Sequence, residues 1–209
     1  EDVGRMTMLQ LVFGLTISLF SLAMHQAYVR EYHEVKDKSV LFKTSLLPGL
    51  LLLLIITLVL FFIPISISEY LFGINSRLLT SLLLIGVFST YFINFLTHVI
   101  RMQERAIAFS LSQIAPKFFL LFFIGFILVF NIKAEFKYLM LMNILAVLTS
   151  LSIFSWLTRD TWVLALKRKV DVILLINMLK FSLPLVLGGL AYWGLTTMDR
   201  LFLKTISGF

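Results

Sequence analysis

Six apolar runs, roughly 7 to 29, 45 to 66, 78 to 100, 107 to 130, 138 to 157 and 181 to 203, reach or approach the length that crosses a bilayer. A spanning helix needs about 20 mainly apolar residues, because ~1.5 Å of rise per residue must cover ~30 Å of hydrocarbon. In lipid, every backbone polar group must find its partner within the protein, and runs of this length do so as helices. The sequence therefore predicts an all-α, polytopic transmembrane helical bundle with six spans. Composition agrees: 60% of residues are hydrophobic and 14% are charged, against about a quarter charged in a soluble domain. Twenty-one Phe and the long Leu and Ile runs exceed what a soluble core of this size can hide.

The net charge of +7 does not point to nucleic acid, since the basic residues sit in short strips between apolar runs rather than on one soluble face. Those strips set a topology instead. The gaps 30 to 43, 101 to 105 and 158 to 180 hold four, two and five Lys or Arg. On the other side, residues 1 to 6, 67 to 77, 131 to 137 and 199 to 209 hold one, one, two and two. Cytoplasmic loops are enriched in Lys and Arg, so the first set is predicted to be cytoplasmic, which puts Glu1 outside. An external Glu1 and an end at Phe209 directly after a span predict at least one helix before the first residue and more beyond the last. Gly73, Asn75, Ser76 and Asn131 mark the outer gaps as tight helix connections. Within 158 to 180, the alternation after Lys167, Arg168 and Lys169 through Val170, Val172, Ile173, Leu174 and Ile176 predicts an interfacial helix. Ser182 and Pro184 are read as opening the last span.

Polar side chains inside spans are expensive in lipid and usually face the bundle interior or a water-filled cavity, so they are the candidates for function. Ser18, Ser21 and His25 fall at i, i+3 and i+7 in the first span, and Asn94, Thr97, His98 and Arg101 repeat that spacing in the third. These stripes are either interhelical glue or the wall of a site. Lys117 follows Pro116 about a third of the way into the fourth span. It is either a cavity-facing cation or a lysine snorkelling to the interface, and the proline kinks its helix. Asp199 and Arg200 read as an ion pair near the outer end of the last span. Arg30, Glu31, Tyr32, His33 and Glu34 form the cytoplasmic mouth of the first.

Enzyme motifs are missing where catalysis would need them. His33 and Glu34 begin a metalloprotease-like run, but its second His is Asp37. There is no P-loop and no nucleophile elbow, and no span pairs two carboxylates. The chain contains no Cys, which excludes thiolate metal sites and disulfides. No catalytic residue, metal ligand or cofactor is assigned, and transport fits better than enzymatic chemistry.

Several short motifs carry a resemblance. Glu1-Asp2-Val3-Gly4-Arg5, then Gln26-Ala27-Tyr28-Val29-Arg30-Glu31-Tyr32-His33-Glu34, then Arg101-Met102-Gln103-Glu104-Arg105, and finally Phe181-Ser182-Leu183-Pro184 with Trp193 and Met198-Asp199-Arg200, are similar to bacterial oligosaccharide flippases of the multidrug/oligosaccharidyl-lipid/polysaccharide exporter superfamily. The likeness extends over nearly the whole chain. It implies that the spans are helices two to seven of a twelve- to fourteen-helix exporter in the bacterial cytoplasmic membrane. Residues 1–157 would then belong to the N-terminal lobe, 158–180 to a cytoplasmic inter-lobe connection and 181–209 to the first helix of the second lobe. The implied activity is the flipping of an undecaprenyl-pyrophosphate-linked oligosaccharide to the outer leaflet by alternating access, for surface polysaccharide export.

On that resemblance the substrate-binding candidates are Arg30, Arg101 and Lys117, with His25, His98 and Asn94 beside them, since a cation in a partly dehydrated cavity attracts pyrophosphate strongly. Pro116, Pro184, Asp199 and Arg200 are structural or gating candidates. The implied partners are the lipid-linked oligosaccharide, membrane lipid, a coupling ion (H+ or Na+) and polysaccharide polymerase or assembly proteins, with no nucleic acid. Two alternatives stay open: a cation-coupled multidrug exporter of the same superfamily, which would carry cavity acids, and an intramembrane glycan polymerase or ligase, which would carry a large outer loop.

Overall fold

The computed structural model describes the backbone of residues 2–62, 67–130 and 135–207; the side chains at 61, 62, 128 and 197–207 lie outside the described part. Nine helices follow one another among the described residues: α1 (Asp2–Phe20), α2 (Met24–Glu31), α3 (Lys38–Phe62), α4 (Ile67–Phe72), α5 (Arg77–Met102), α6 (Ala106–Val129), α7 (Phe136–Leu157), α8 (Arg159–Lys167) and α9 (Val172–Ser207). No strand occurs among the described residues. Six of the helices, α1, α3, α5, α6, α7 and α9, are long and apolar enough to cross a membrane. The chain is a multi-pass membrane protein built from helices, as its apolar runs predict.

Three local readings need correction. The run from 7 to 29 is not one helix, because it breaks at residues 21–23, where Leu22 and Ala23 both take left-handed backbone angles, φ 47° and 50°. Ser18, Ser21 and His25 therefore do not share one continuous helical face. Neither Gly nor Pro marks this break; tertiary contact supports it. The carbonyl of Phe20, the last residue of α1, lies against Gly49 of α3 so closely that a Cβ there would collide with it and with the Tyr91 hydroxyl. That hydroxyl donates to the Leu46 carbonyl at 2.9 Å.

The segment 158 to 180 also differs from its reading. The helix in this gap is α8, which starts at Arg159, while Val172 to Ile176 already form the first turn and more of α9. Asp171 caps α9 by accepting from the backbone N–H of Leu174 at 3.0 Å, so the span begins well before Ser182. Pro184 accordingly lies inside α9 rather than at its opening. In the third case the outer gap 67 to 77 contains a short helix of its own, α4. Gly73 ends it with φ 69°, a conformation that glycine adopts without steric penalty. Ser76 then caps α5, accepting from Leu79 N–H. The Ser68 hydroxyl donates to the Ser76 carbonyl and accepts from its N–H, at 3.0 and 3.1 Å. Asn131 and the start of its gap lie outside the described residues.

α5 is the central helix. It meets α1, α2, α3, α4, α6 and α7, and residues as far apart as Leu79 and Ile100 are buried. Two apolar clusters stack along it. The one toward the basic end gathers Met24, Tyr28, Leu41, Phe95, Ile100 and Met178; the other gathers Leu9, Leu53, Phe72, Leu79, Phe136 and Met140. Between helices in lipid the driving force is close packing rather than removal of apolar surface from water, so small residues at crossings matter. Gly86 on α5 illustrates this: a Cβ there would lie 2.6 Å from the Phe13 ring of α1. The outward faces of α3 and α6 carry Leu51, Ile55, Leu58, Phe118, Leu121 and Phe122, all exposed, as lipid-facing surfaces do.

Candidate functional site

Of the sequence candidates, His25, Arg30, His98 and Arg101 lie together at the basic end of the bundle, where four helices follow one another laterally. α9 meets α2 through Ser182, whose hydroxyl lies 3.4 Å from the Met24 sulfur. α2 meets α5 through His25 and His98, whose rings stack with centroids 4.7 Å apart and planes 26° from parallel. α5 meets α6 at their shared turn, where the Arg101 guanidinium lies 6.0 Å from the centroid of the Phe109 ring. Across the other seam, the Arg30 guanidinium lies 4.5 Å over Phe181 of α9. The two arginines thus flank the histidine pair.

Both arginines are exposed, and their planar groups rest on aromatic faces, which hold a cation without removing it from water. Arg30 is also 3.6 Å from the Glu31 carboxylate, a loose exposed pair worth little by itself. The histidines lie deeper. The Nδ1 atoms of His25 and His98 are both buried without a hydrogen-bond partner, as is the Tyr28 hydroxyl. Most buried polar atoms in proteins are paired, so this group has bonding capacity that its own helices leave unused.

α5 is continuous, so Asn94, Thr97, His98 and Arg101 do share one side of it. Thr97 serves the bundle, since it is buried and its hydroxyl donates to the Ile93 carbonyl at 2.8 Å. Asn94 and His98 are half-buried. Arg5, in the first resemblance motif, lies elsewhere. It binds Asp2 at 2.9 Å and the Phe72 carbonyl at 3.0 Å, joining α1 to α4. Trp193 packs its indole against Gly14, joining α9 to α1. Pro116 lies inside α6. Asp199 and Arg200 fall within the backbone of α9, but their side chains lie outside the described residues.

Lys117 lies halfway along α6, as its twelfth residue of 24, rather than a third of the way in, and is exposed. At ~1.5 Å per residue it lies roughly 16 Å along a helix that is long enough to span the hydrocarbon. Ser110 and Gln113 precede it at i−7 and i−4, and both are exposed too. The three form a polar stripe on one side of α6. It runs beside the apolar stripe Ile107, Ile114, Phe118 and Leu121. Sequence reasoning singled out Lys117 alone. Ser110 and Gln113 were legible by spacing, but only the packing of α6 on α5 and α7 reveals that this side is left open.

No group of three or more His, Cys, Asp or Glu that could hold a metal occurs among the described residues. Comparison of the chain with protein-family models, curated proteins and solved structures gives no match.

Proposed function

We propose that this membrane protein is a transporter that moves a lipid-linked oligosaccharide carrying a pyrophosphate across the bilayer by alternating access. The observation that carries this reading is the open polar stripe of Ser110, Gln113 and Lys117 halfway along α6. An ammonium group at that depth is costly against lipid and is tolerated beside water or a counter-anion. A stripe of this kind supports a hydrophilic path through the membrane. Arg30 and Arg101 supply two more cations at the basic end, suited to meeting an anionic headgroup as it enters from the cytoplasmic leaflet. The apolar stripe next to Lys117 suits the polyprenyl chain of the same substrate.

The test is complementation of a bacterial strain that lacks a surface-polysaccharide flippase, with Arg30→Ala, Arg101→Ala and Lys117→Ala introduced separately at equal expression. Restored polysaccharide with the parent chain, and loss of it in at least one variant, is the expected result. Full restoration by all three variants would remove the cationic site from the proposal, and no restoration by the parent chain would remove the substrate.

A further inference from the structure

A second feature, lined by no residue of α6, has no part in that reading. A cavity of about 360 Å³ opens between α3, α5, α8 and Ser155 of α7. Phe42, Leu46 and Leu50 of α3, Phe92 and Leu96 of α5, and Trp162 of α8 line it. At ~30 Å³ for a group the size of a water or a methylene, it holds about a dozen of them. The lining is apolar, so water would find few partners inside, whereas a hydrocarbon chain loses nothing by entering.

The rim has the opposite character. Among the described residues Lys43 is the one charged member of the lining, and its ammonium donates to the carbonyls of Leu166 and Arg168 at 3.2 and 2.6 Å. An ammonium has three donors, so one N–H is left to point elsewhere. The strips 36 to 43 and 167 to 171 meet there through Lys43 on the Arg168 carbonyl and Arg168 on Asp37. They contain Lys36, Lys43, Lys167, Arg168 and Lys169 against Asp37 and Asp171, while the Lys38 ammonium is turned to the Tyr32 and Val35 carbonyls. Arg168 is paired to Asp37 at 3.1 Å and remains more than half exposed, and Asp171 is occupied in capping α9. The corner is therefore positive in excess.

α8 closes the cavity and has the character of a helix lying at a membrane surface. Val163, Leu164 and Leu166 are exposed apolar residues on it. Its Trp162 keeps the indole ring in the lining while the indole N–H donates to the Ser155 carbonyl at 2.9 Å. Tryptophan so placed is typical of the interface between headgroups and acyl chains. The Gln103 amide donates to the Thr161 hydroxyl of the helix at 3.1 Å, and Arg105 donates to the carbonyl of Leu157, the last residue of α7, at 3.1 Å.

We propose that this cavity holds one acyl chain of an anionic glycerophospholipid whose phosphate is bound at the rim by Lys43 and the Lys167, Arg168 and Lys169 strip. The apolar volume selects a hydrocarbon chain, and the excess of cations selects an anionic headgroup over a zwitterionic one. The inference stands on the placement of α8 and Lys43 alone and is independent of what the protein transports.

The experiment uses the whole protein in phosphatidylcholine bilayers, with phosphatidylglycerol brominated on its acyl chains titrated in and tryptophan fluorescence read. Bromine quenches only rings it can touch, and Trp162 lies in the cavity wall. The expected result is quenching that saturates at a low mole fraction, is reversed by unbrominated phosphatidylglycerol, and loses its saturable part in Trp162→Phe. Lys43→Gln should weaken the apparent affinity about fivefold. Leu47→Phe, which fills the cavity from its wall, should abolish the saturable part. Equal saturable quenching by brominated phosphatidylcholine would overturn the proposal, as would quenching by brominated phosphatidylglycerol that never saturates. Both of those arms use the unaltered protein, so a variant that fails to fold does not obscure the outcome.

Discussion

His25 and His98 stack with ring centroids 4.7 Å apart, although one follows a break in the first apolar run and the other lies near the end of a continuous helix. Each has a buried Nδ1 without a partner. Replacing both members of such a pair with apolar rings of similar shape removes two unsatisfied atoms and leaves packing largely intact. The double variant His25→Phe with His98→Phe is expected to keep its thermal midpoint in detergent or to raise it. If the pair serves transport, complementation falls at least about tenfold in the same variant. A lowered midpoint with unchanged transport would make the pair purely structural.

The contact of Gly49 with the Phe20 carbonyl fixes where α1 stops. Gly49→Ala has to move backbone, because a carbonyl cannot turn aside as a flexible side chain can. A loss of about 1 to 3 kcal/mol is expected, as for overpacked cores. Gly125, on α6, has nothing within 4 Å of the corresponding Cβ. Gly125→Ala is expected to be neutral or slightly stabilising through helix propensity. Thermal or denaturant unfolding of the two purified variants side by side checks the pair.

Tyr91→Phe removes the donor to the Leu46 carbonyl and changes nothing else in shape. Tyr91 is buried, so water cannot replace the lost bond easily. The expected cost is about 1 to 2 kcal/mol. An unchanged midpoint would mean that the carbonyl is satisfied without it.

Because the chain contains no Cys, single cysteines report their surroundings without a background. Ser110→Cys, Gln113→Cys and Lys117→Cys are expected to react with a water-soluble maleimide at least about tenfold faster than Phe118→Cys and Leu121→Cys, because the thiolate is the reactive species and forms where water reaches it. Equally slow reaction at all five positions would place the whole exposed side of α6 in lipid.

Sidedness is open to the same chemistry. Tyr70, 83% exposed on α4, belongs to the gap with few basic residues, and Lys169 belongs to the richest. In intact cells Tyr70→Cys is expected to react with an impermeant maleimide, and Lys169→Cys only after permeabilisation. The reverse pattern would invert the topology.

The sequence by itself determined how many helices are long and apolar enough to span, their order, the cation-rich end and the continuity of the Asn94 to Arg101 stripe. These depend on apolar length, charge and period, which are local properties of the chain. The fourth apolar run, read from sequence as 107 to 130, is the helix α6 (Ala106–Val129). Tertiary structure decided the rest. The break at Leu22 and Ala23 has no glycine or proline to announce it and exists because Gly49 lets the end of α1 come close. The helix in the gap after α7 forms at Arg159 to Lys167 because Trp162 and Ala165 find a wall to pack on; the later alternation that looked interfacial continues into α9. Which side of α6 stays open, and which histidines meet, are outcomes of one helix packing on another. A single chain's periodicity contains no record of its neighbour.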